Sequence, residues 1–226
     1  MNHYQLKNIT PLSWNDRVRF ECSCCSKCCR HVKNSIPLES LDIFRLTQFL
    51  TANGTLSYHS IDEVLTRYAE ILLIDECGYF TYCLKTTGSD DACIFLKENR
   101  CSIHTVKPRA CRTYPFLAEP TASGSFNYHL SIEQPHHFHG HSHKARNWMK
   151  QYFTKEDQEF ITLDFQAAPL IANLLRKISP EKKETALFCF LTYKYLRFRL
   201  DQPFLEQFKQ NQQRLITLLT NLSKNE

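Results

Sequence analysis

The chemistry-bearing residues concentrate in one short run, Phe20-Glu21-Cys22-Ser23-Cys24-Cys25-Ser26-Lys27-Cys28-Cys29-Arg30. Read as Cys22-x2-Cys25-x2-Cys28-Cys29, it places four thiols within eight residues. A two-residue gap lets the chain turn so that two sulfurs reach one ion at about 2.3 Å. Three Cys at this spacing also resemble the run that wraps a [4Fe–4S] cluster. Cys28 and Cys29 are adjacent and point differently. The run therefore suggests either two neighbouring sites or one cluster plus a separate role.

A second block, Cys93-Ile94-Phe95-Leu96 through Cys101-Ser102-Ile103-His104 to Lys107-Pro108-Arg109-Ala110-Cys111-Arg112-Thr113-Tyr114-Pro115, adds three thiols. Their gaps are too long for a local knuckle, so they can join the first set through the fold alone. The alternative, that these Cys are small buried hydrophobes, fits poorly with such a density in a chain expected to be cytosolic.

Together the two blocks resemble the cysteine-cluster family also called YkgJ-like, a zinc- or iron-chelating domain. Its signature is F-x-C-x2-C-x2-C-C, followed by C-x-F-L, C-x-I-[YH]-x2-[RK]-P and C-R-x-[YF]-P. This chain matches at Phe20, Cys22, Cys25, Cys28, Cys29, Cys93, Phe95, Leu96, Cys101, Ile103, His104, Lys107, Pro108, Cys111, Arg112, Tyr114 and Pro115. The resemblance covers about residues 18–145, and Asp42 and Arg45 also fit the family's acidic helix start. It implies seven metal ligands: Cys22, Cys25, Cys28, Cys29, Cys93, Cys101 and Cys111.

Two departures from the pattern matter. Cys24 is extra, which leaves ligand choice in the first cluster open. A further Cys that family members often carry before a Gly is missing, and the neighbourhood reads Pro135-His136-His137-Phe138-His139-Gly140-His141-Ser142-His143. His137 or His139 is expected to take its place, because neutral imidazole is the other common zinc and iron ligand. The competing reading is an exposed His tract that captures metal adventitiously.

Arg109 and Arg112 flank ligand positions and are candidates for binding an anionic cofactor or stabilising thiolates. Lys27 and Arg30 sit similarly. The flagellin lysine N-methylases resemble this family in their Cys cluster. That likeness implies an alternative function, an iron–sulfur-containing protein-lysine N-methyltransferase using S-adenosylmethionine, although no local sequence feature marks a methyl-donor pocket. A third reading, redox or metal storage, rests on Cys24, Cys77 and Cys83.

The elements that must position these residues fall into two regions. Residues 1–145 hold ten of the eleven Cys and every His, and are expected to form a Cys-cluster metal-binding domain of short strands and helices. Residues 146–226 read as a helical region packed on it, with a surface for a protein partner. The fold class is α+β. In the first region a helix is expected from Leu38 to about Asn53-Gly54, and another over Ile61–Leu73. Strands are expected at Tyr79–Leu84 and Phe126–Ile132, with a hairpin pairing Ala92–Leu96 and Ser102–Val106. In the second region, Pro169 is expected to break a helix and Ser179-Pro180-Glu181 to start one.

Composition bounds the function. With 226 residues and 42% hydrophobic content the chain can bury a real core, so it does not need disulfides to fold. The start, Met1-Asn2-His3-Tyr4, is not followed by an apolar run, and nothing approaches the roughly 20 apolar residues that span a bilayer. The expected compartment is the reducing cytoplasm, without a membrane. The net charge of +5 assumes neutral thiols. Seven ionised ligands would bring it to about −2 before any metal is added, so the basic balance is poor support for a nucleic-acid partner. Tyr193 to Arg199 interleave aromatics with bases, which an amphipathic helix explains. The five Gly make no phosphate-cradling loop.

Overall fold

The structure is a computed structural model, and it describes residues 8–57 and 59–224. It is a mixed α+β protein, with short strands and helices in the N-terminal half and helices at the C-terminus. In chain order the helices are α1 (Ser40–Ala52), α2 (Ile61–Tyr68), α3 (Arg109–Thr113), α4 (Ala145–Tyr152), α5 (Lys155–Lys177), α6 (Pro180–Leu191) and α7 (Phe204–Leu222). Two compact units form, each discontinuous in sequence. One runs from the described N-terminal residues to Pro37 and from Leu84 to Thr162; the other comprises Leu38–Cys83 and the chain from Leu163. Residue 145, where the composition shifts, falls inside the first.

The first unit is built on an antiparallel three-stranded sheet in the order Ile9–Pro11, Phe126–Ser131, Phe116–Pro120. Its register sets Ile9 against Ser131 and Phe116 against Leu130. Phe116 is fully buried, and its ring lies against Trp148 of α4 at 5.5 Å. A second ladder pairs Arg17–Arg19 with Ser142–Lys144, which lays the His-rich segment beside the start of the first Cys run. The hairpin expected in the 90s is tighter than the sequence pattern suggests. Leu96 and Lys97 pair with Cys101 and Arg100. Glu98 and Asn99 both take positive φ, 49° and 60°, the two-residue turn that matches strand twist. Residues 102–105 form turns instead of a strand.

The second unit holds most of the long helices. Its sheet runs in the order Pro37–Leu38, Phe80–Leu84, Ala69–Leu73. Helix α2 stops at Tyr68, short of the expected Leu73. Residues 69–73 pair as a strand because Gly78, at φ +93°, turns the chain back, and Ile74 N–H donates to the Tyr79 carbonyl at 2.9 Å. An aromatic core of Phe80, Tyr82, Phe190 and Tyr195 joins this sheet to α6 and to the π-helical turn Thr192–Leu196. Each such ring buried contributes about 2–3 kcal/mol. Phe44 of α1 and Phe204 of α7 meet at 5.3 Å.

Helix α5 runs unbroken through Pro169. The proline sits on the exposed side of the helix, as does Phe165 four residues earlier, so water can take the carbonyl that Pro169 leaves without an N–H. Burial of Phe160, Ile161, Ile171 and Leu175 along the other side offsets the roughly 3 kcal/mol that an interior proline costs.

Candidate metal centre

The first Cys run turns sharply because Cys24 and Ser26 adopt left-handed backbone, at φ 52° and 60°. A single 3₁₀ turn, Lys27–Cys29, follows. The left-handed residues bracket Cys25. Cys25 Sγ lies 3.1 Å from His137 Nε2 and 3.4 Å from His136 Nε2. The three donor atoms lie within 4.8 Å of one another, and no other group of three or more His, Cys or carboxylate donors converges so closely among the described residues.

His137 is held from several sides. It is 2% exposed, its ring meets Phe20 and Tyr114 edge-on, and its carbonyl accepts the Glu21 N–H at 3.3 Å. The Tyr114 hydroxyl lies 3.1 Å from His137 Nδ1. When Nδ1–H donates to that oxygen, the Nε2 lone pair faces Cys25, the arrangement that fixes the tautomer of a metal-binding imidazole. Burial, followed by the neighbouring His136, His139 and Lys27, pushes the His137 pKa down, which favours the neutral, ligating form. His139 is exposed and stands outside the three-donor group. The His143 ring hydrogen-bonds the Phe20 carbonyl through Nε2 at 3.1 Å.

The second Cys block is brought to the first by a polar tether. The Arg30 guanidinium pairs with Asp90 and donates to the Asn99 side chain at 2.9 Å, at the tip of the Cys101 hairpin. His31 and Val32 N–H donate to the Asp90 and Asp91 carbonyls at 2.7 and 3.1 Å. Cys28, Cys93, Cys101 and Cys111 then lie near enough to influence one another's titration. Burial, then Cys93, Cys101 and Cys28 in turn, raises the Cys111 pKa. Burial, then Cys101 and Cys28, raises Cys93, and burial, then Cys28, raises Cys101. Cys28 is pushed up first by its hydrogen bond with Cys29, whose sulfur lies 3.9 Å away, and then by burial, while Lys107 pulls the other way. A bound cation would replace these protons and favour the thiolate form. Cys24 is raised first by Cys22, which puts these two exposed thiols side by side.

Short α3 carries Cys111 and is clamped by its motif neighbours. Arg112 Nε donates to the Tyr152 carbonyl at 2.9 Å, and its Nη2 pairs with Asp157 at 2.9 Å. Trp148 Nε1 donates to the Thr113 carbonyl at 2.8 Å. The Arg109 guanidinium lies over the Phe153 ring, 5.8 Å from its centre. The two arginines singled out as anion binders thus also have protein partners. Cys77, Cys83 and Cys189 belong to the other unit. Cys77 and Cys83 are buried there and Cys189 is half-buried. All eleven Cys are free thiols.

Sequence reasoning passed over His136, Tyr114 as a partner of the imidazole, and the Arg30 tether. Its signal for His136 was adjacency to His137 alone. The residues present fit zinc or iron: every donor is a thiol or an imidazole, the ligand types both metals take.

Residues 21–152 match the CxxCxxCC family, whose domain is described as zinc- or iron-chelating. The match spans more than half of the chain, and the chain belongs to this family. No curated protein and no solved structure matches it.

Proposed function

We propose that the chain is a metal-binding protein of the cytoplasm that holds zinc or iron, the latter as an iron–sulfur centre, and draws its metal ligands from Cys22, Cys25, Cys28, Cys29, Cys93, Cys101, Cys111 and His137. The observation that carries this is the convergence of the Cys25, His136 and His137 donor atoms within 4.8 Å, inside the stretch that matches a zinc- or iron-chelating domain. Eleven free thiols suit a reducing compartment. Exposed Ile71, Leu73 and Phe188 on the helical unit are the apolar side chains a protein partner would cover.

The test is anaerobic purification with elemental analysis and a visible spectrum. Brown protein with broad absorbance and iron in more than one equivalent supports the iron–sulfur form, and colourless protein with stoichiometric zinc supports zinc. Folded protein that holds neither above trace level, and takes up neither on reconstitution, overturns the proposal.

A further inference from the structure

We propose that Cys25, His136 and His137 form a second metal site, distinct from the four-thiol set, which takes one zinc ion and leaves a coordination position open. This deepens the metal-binding reading and rests on it.

Three features of the structure carry the inference. The donor atoms already converge, with Cys25 Sγ 3.1 and 3.4 Å from the two imidazole Nε2 atoms. One sulfur and two nitrogens around zinc at about 2.3 and 2.0 Å need a small expansion of that arrangement and no change of backbone. The donors are also held from behind. Tyr114 meets Nδ1 of His137, Phe20 packs on its ring, and the 3₁₀ turn Pro135–His137 brings two successive His to the same side, with ring centres 4.2 Å apart. Finally, no fourth His, Cys or carboxylate donor joins the three within 4.8 Å among the described residues, and His136 is exposed. A four-coordinate zinc held by three protein ligands completes its shell with water or a substrate atom, as catalytic zincs do. A structural zinc would close its shell with a fourth thiol or imidazole.

The donor chemistry separates this site from its neighbour. Two imidazoles suit zinc, whereas the four-thiol set suits iron–sulfur chemistry or an all-sulfur zinc. Loading replaces the Cys25 thiol proton by the metal and leaves both imidazoles neutral, with Nδ1–H of His137 directed at Tyr114.

The experiment uses the full chain, purified anaerobically with its thiol-bound metal and then titrated with zinc. X-ray absorption at the zinc edge should show nitrogen scatterers at about 2.0 Å beside one sulfur at about 2.3 Å. His136→Ala, at an exposed position, should lose the added equivalent or weaken it at least about 100-fold, more than the 10–100-fold of an outer-shell change. Tyr114→Phe should weaken it about 10–100-fold. The His139→Ala/His141→Ala double variant should leave it unchanged, and a comparable loss in that variant marks adventitious capture and overturns the proposal. So does a zinc edge with sulfur scatterers alone, or metal uptake that His136→Ala does not alter. A protein that keeps its thiol-bound metal but takes no nitrogen-ligated zinc sinks the second site and leaves the proposed function standing. A protein that holds no metal at all sinks both.

Discussion

Arg112→Met should destabilise the protein by about 3 kcal/mol, whether or not metal is bound. Arg112 is one-sixth exposed, and its partner Asp157 is 2% exposed. Asp157 lies in the first turn of α5. Its Oδ2 accepts the Thr154 N–H and hydroxyl at 2.8 Å each, while the Asp157 N–H donates back to Thr154 Oγ1 at 3.2 Å. That reciprocal cap survives the substitution. What is lost is the charged bond at Oδ1, worth about 1.5–3 kcal/mol, and the neutral bond to the Tyr152 carbonyl, worth about 1 kcal/mol. Breaking a buried pair from one side typically costs about 3–5 kcal/mol. The surviving cap and the favourable helix end place this case near 3. For a chain of this length that corresponds to a fall in Tm of about 6–12 °C, readable by thermal denaturation of chelated and metal-loaded protein alike. Arg112→Lys should fall between, since an ammonium cannot hold both Asp157 and the Tyr152 carbonyl in one fork. If Arg112 serves an anionic ligand instead, the unliganded variant should melt within about 2 °C of wild type, and the clamp reasoning fails.

Three further outcomes follow from other parts of the molecule. Burial would drive the Lys194 charge off, but the Asp164 carboxylate beside it overrides this and raises its pKa. Asp164→Asn should therefore cost about 3 kcal/mol, and most of that loss should return in Asp164→Asn/Lys194→Met. Denaturant midpoints check both variants. A Cβ on Gly140 would stand 2.8 Å from Glu21 Cβ, in a backbone at φ +71°, whereas Gly54, at φ +64°, has open space around it. Gly140→Ala should thus destabilise by about 2 kcal/mol or more, and Gly54→Ala by about 1 kcal/mol, the left-handed cost alone; equal Tm values for the two would refute the clash. The Cys77 side chain and N–H, and then Arg176, hold the Asp75 carboxyl below the usual carboxylate range. A depressed folded pKa gives stability that is present above an ordinary carboxylate pKa of about 3.9 and drains away as pH falls below it. Asp75→Asn should flatten the acid limb of a stability–pH curve below about pH 4, and an unchanged limb would show that other carboxylates set it.

Local chemistry was legible in the sequence wherever it is local in the structure. Ser40–Ala52 ends at Asn53-Gly54 because a left-handed Gly must follow the last helical turn. Pro180 opens α6 because its missing N–H costs nothing there. The Cys run announced its own turn. Pairing over distance was not legible. The strand Phe116–Pro120 has little alternation and exists because Phe126–Ser131 lies beside it. Residues 69–73 carry a helical pattern but are captured by Phe80–Leu84. Pro169 failed to break α5 because its exposed side could reach water, and sequence does not state which side that is. His136 was missed because neighbours in a strand or an α-helix diverge, and nothing in the sequence marked residues 135–137 as a 3₁₀ turn.

The candidate donors and the residues that fasten their segments are different side chains, and the distinction bears on what a bound metal would do. The segments that carry the candidate donor thiols are fastened by bonds that involve no thiol. Arg30 reaches Asp90 and Asn99, His31 and Val32 bond to the 90–91 backbone, Arg112 locks α3, and Tyr114 orients His137. A small zinc finger lacks such fastenings, and for that reason it unfolds without metal. Here the polar framework and the aromatic packing around Phe20, Tyr114 and Trp148 can hold the donors in place before an ion arrives. On the proposed function, metal adds stability by mass action instead of creating the fold. A pre-positioned donor set also spares the cost of ordering ligands when metal enters, and on the proposed second site the exposed His136 leaves metal a way in.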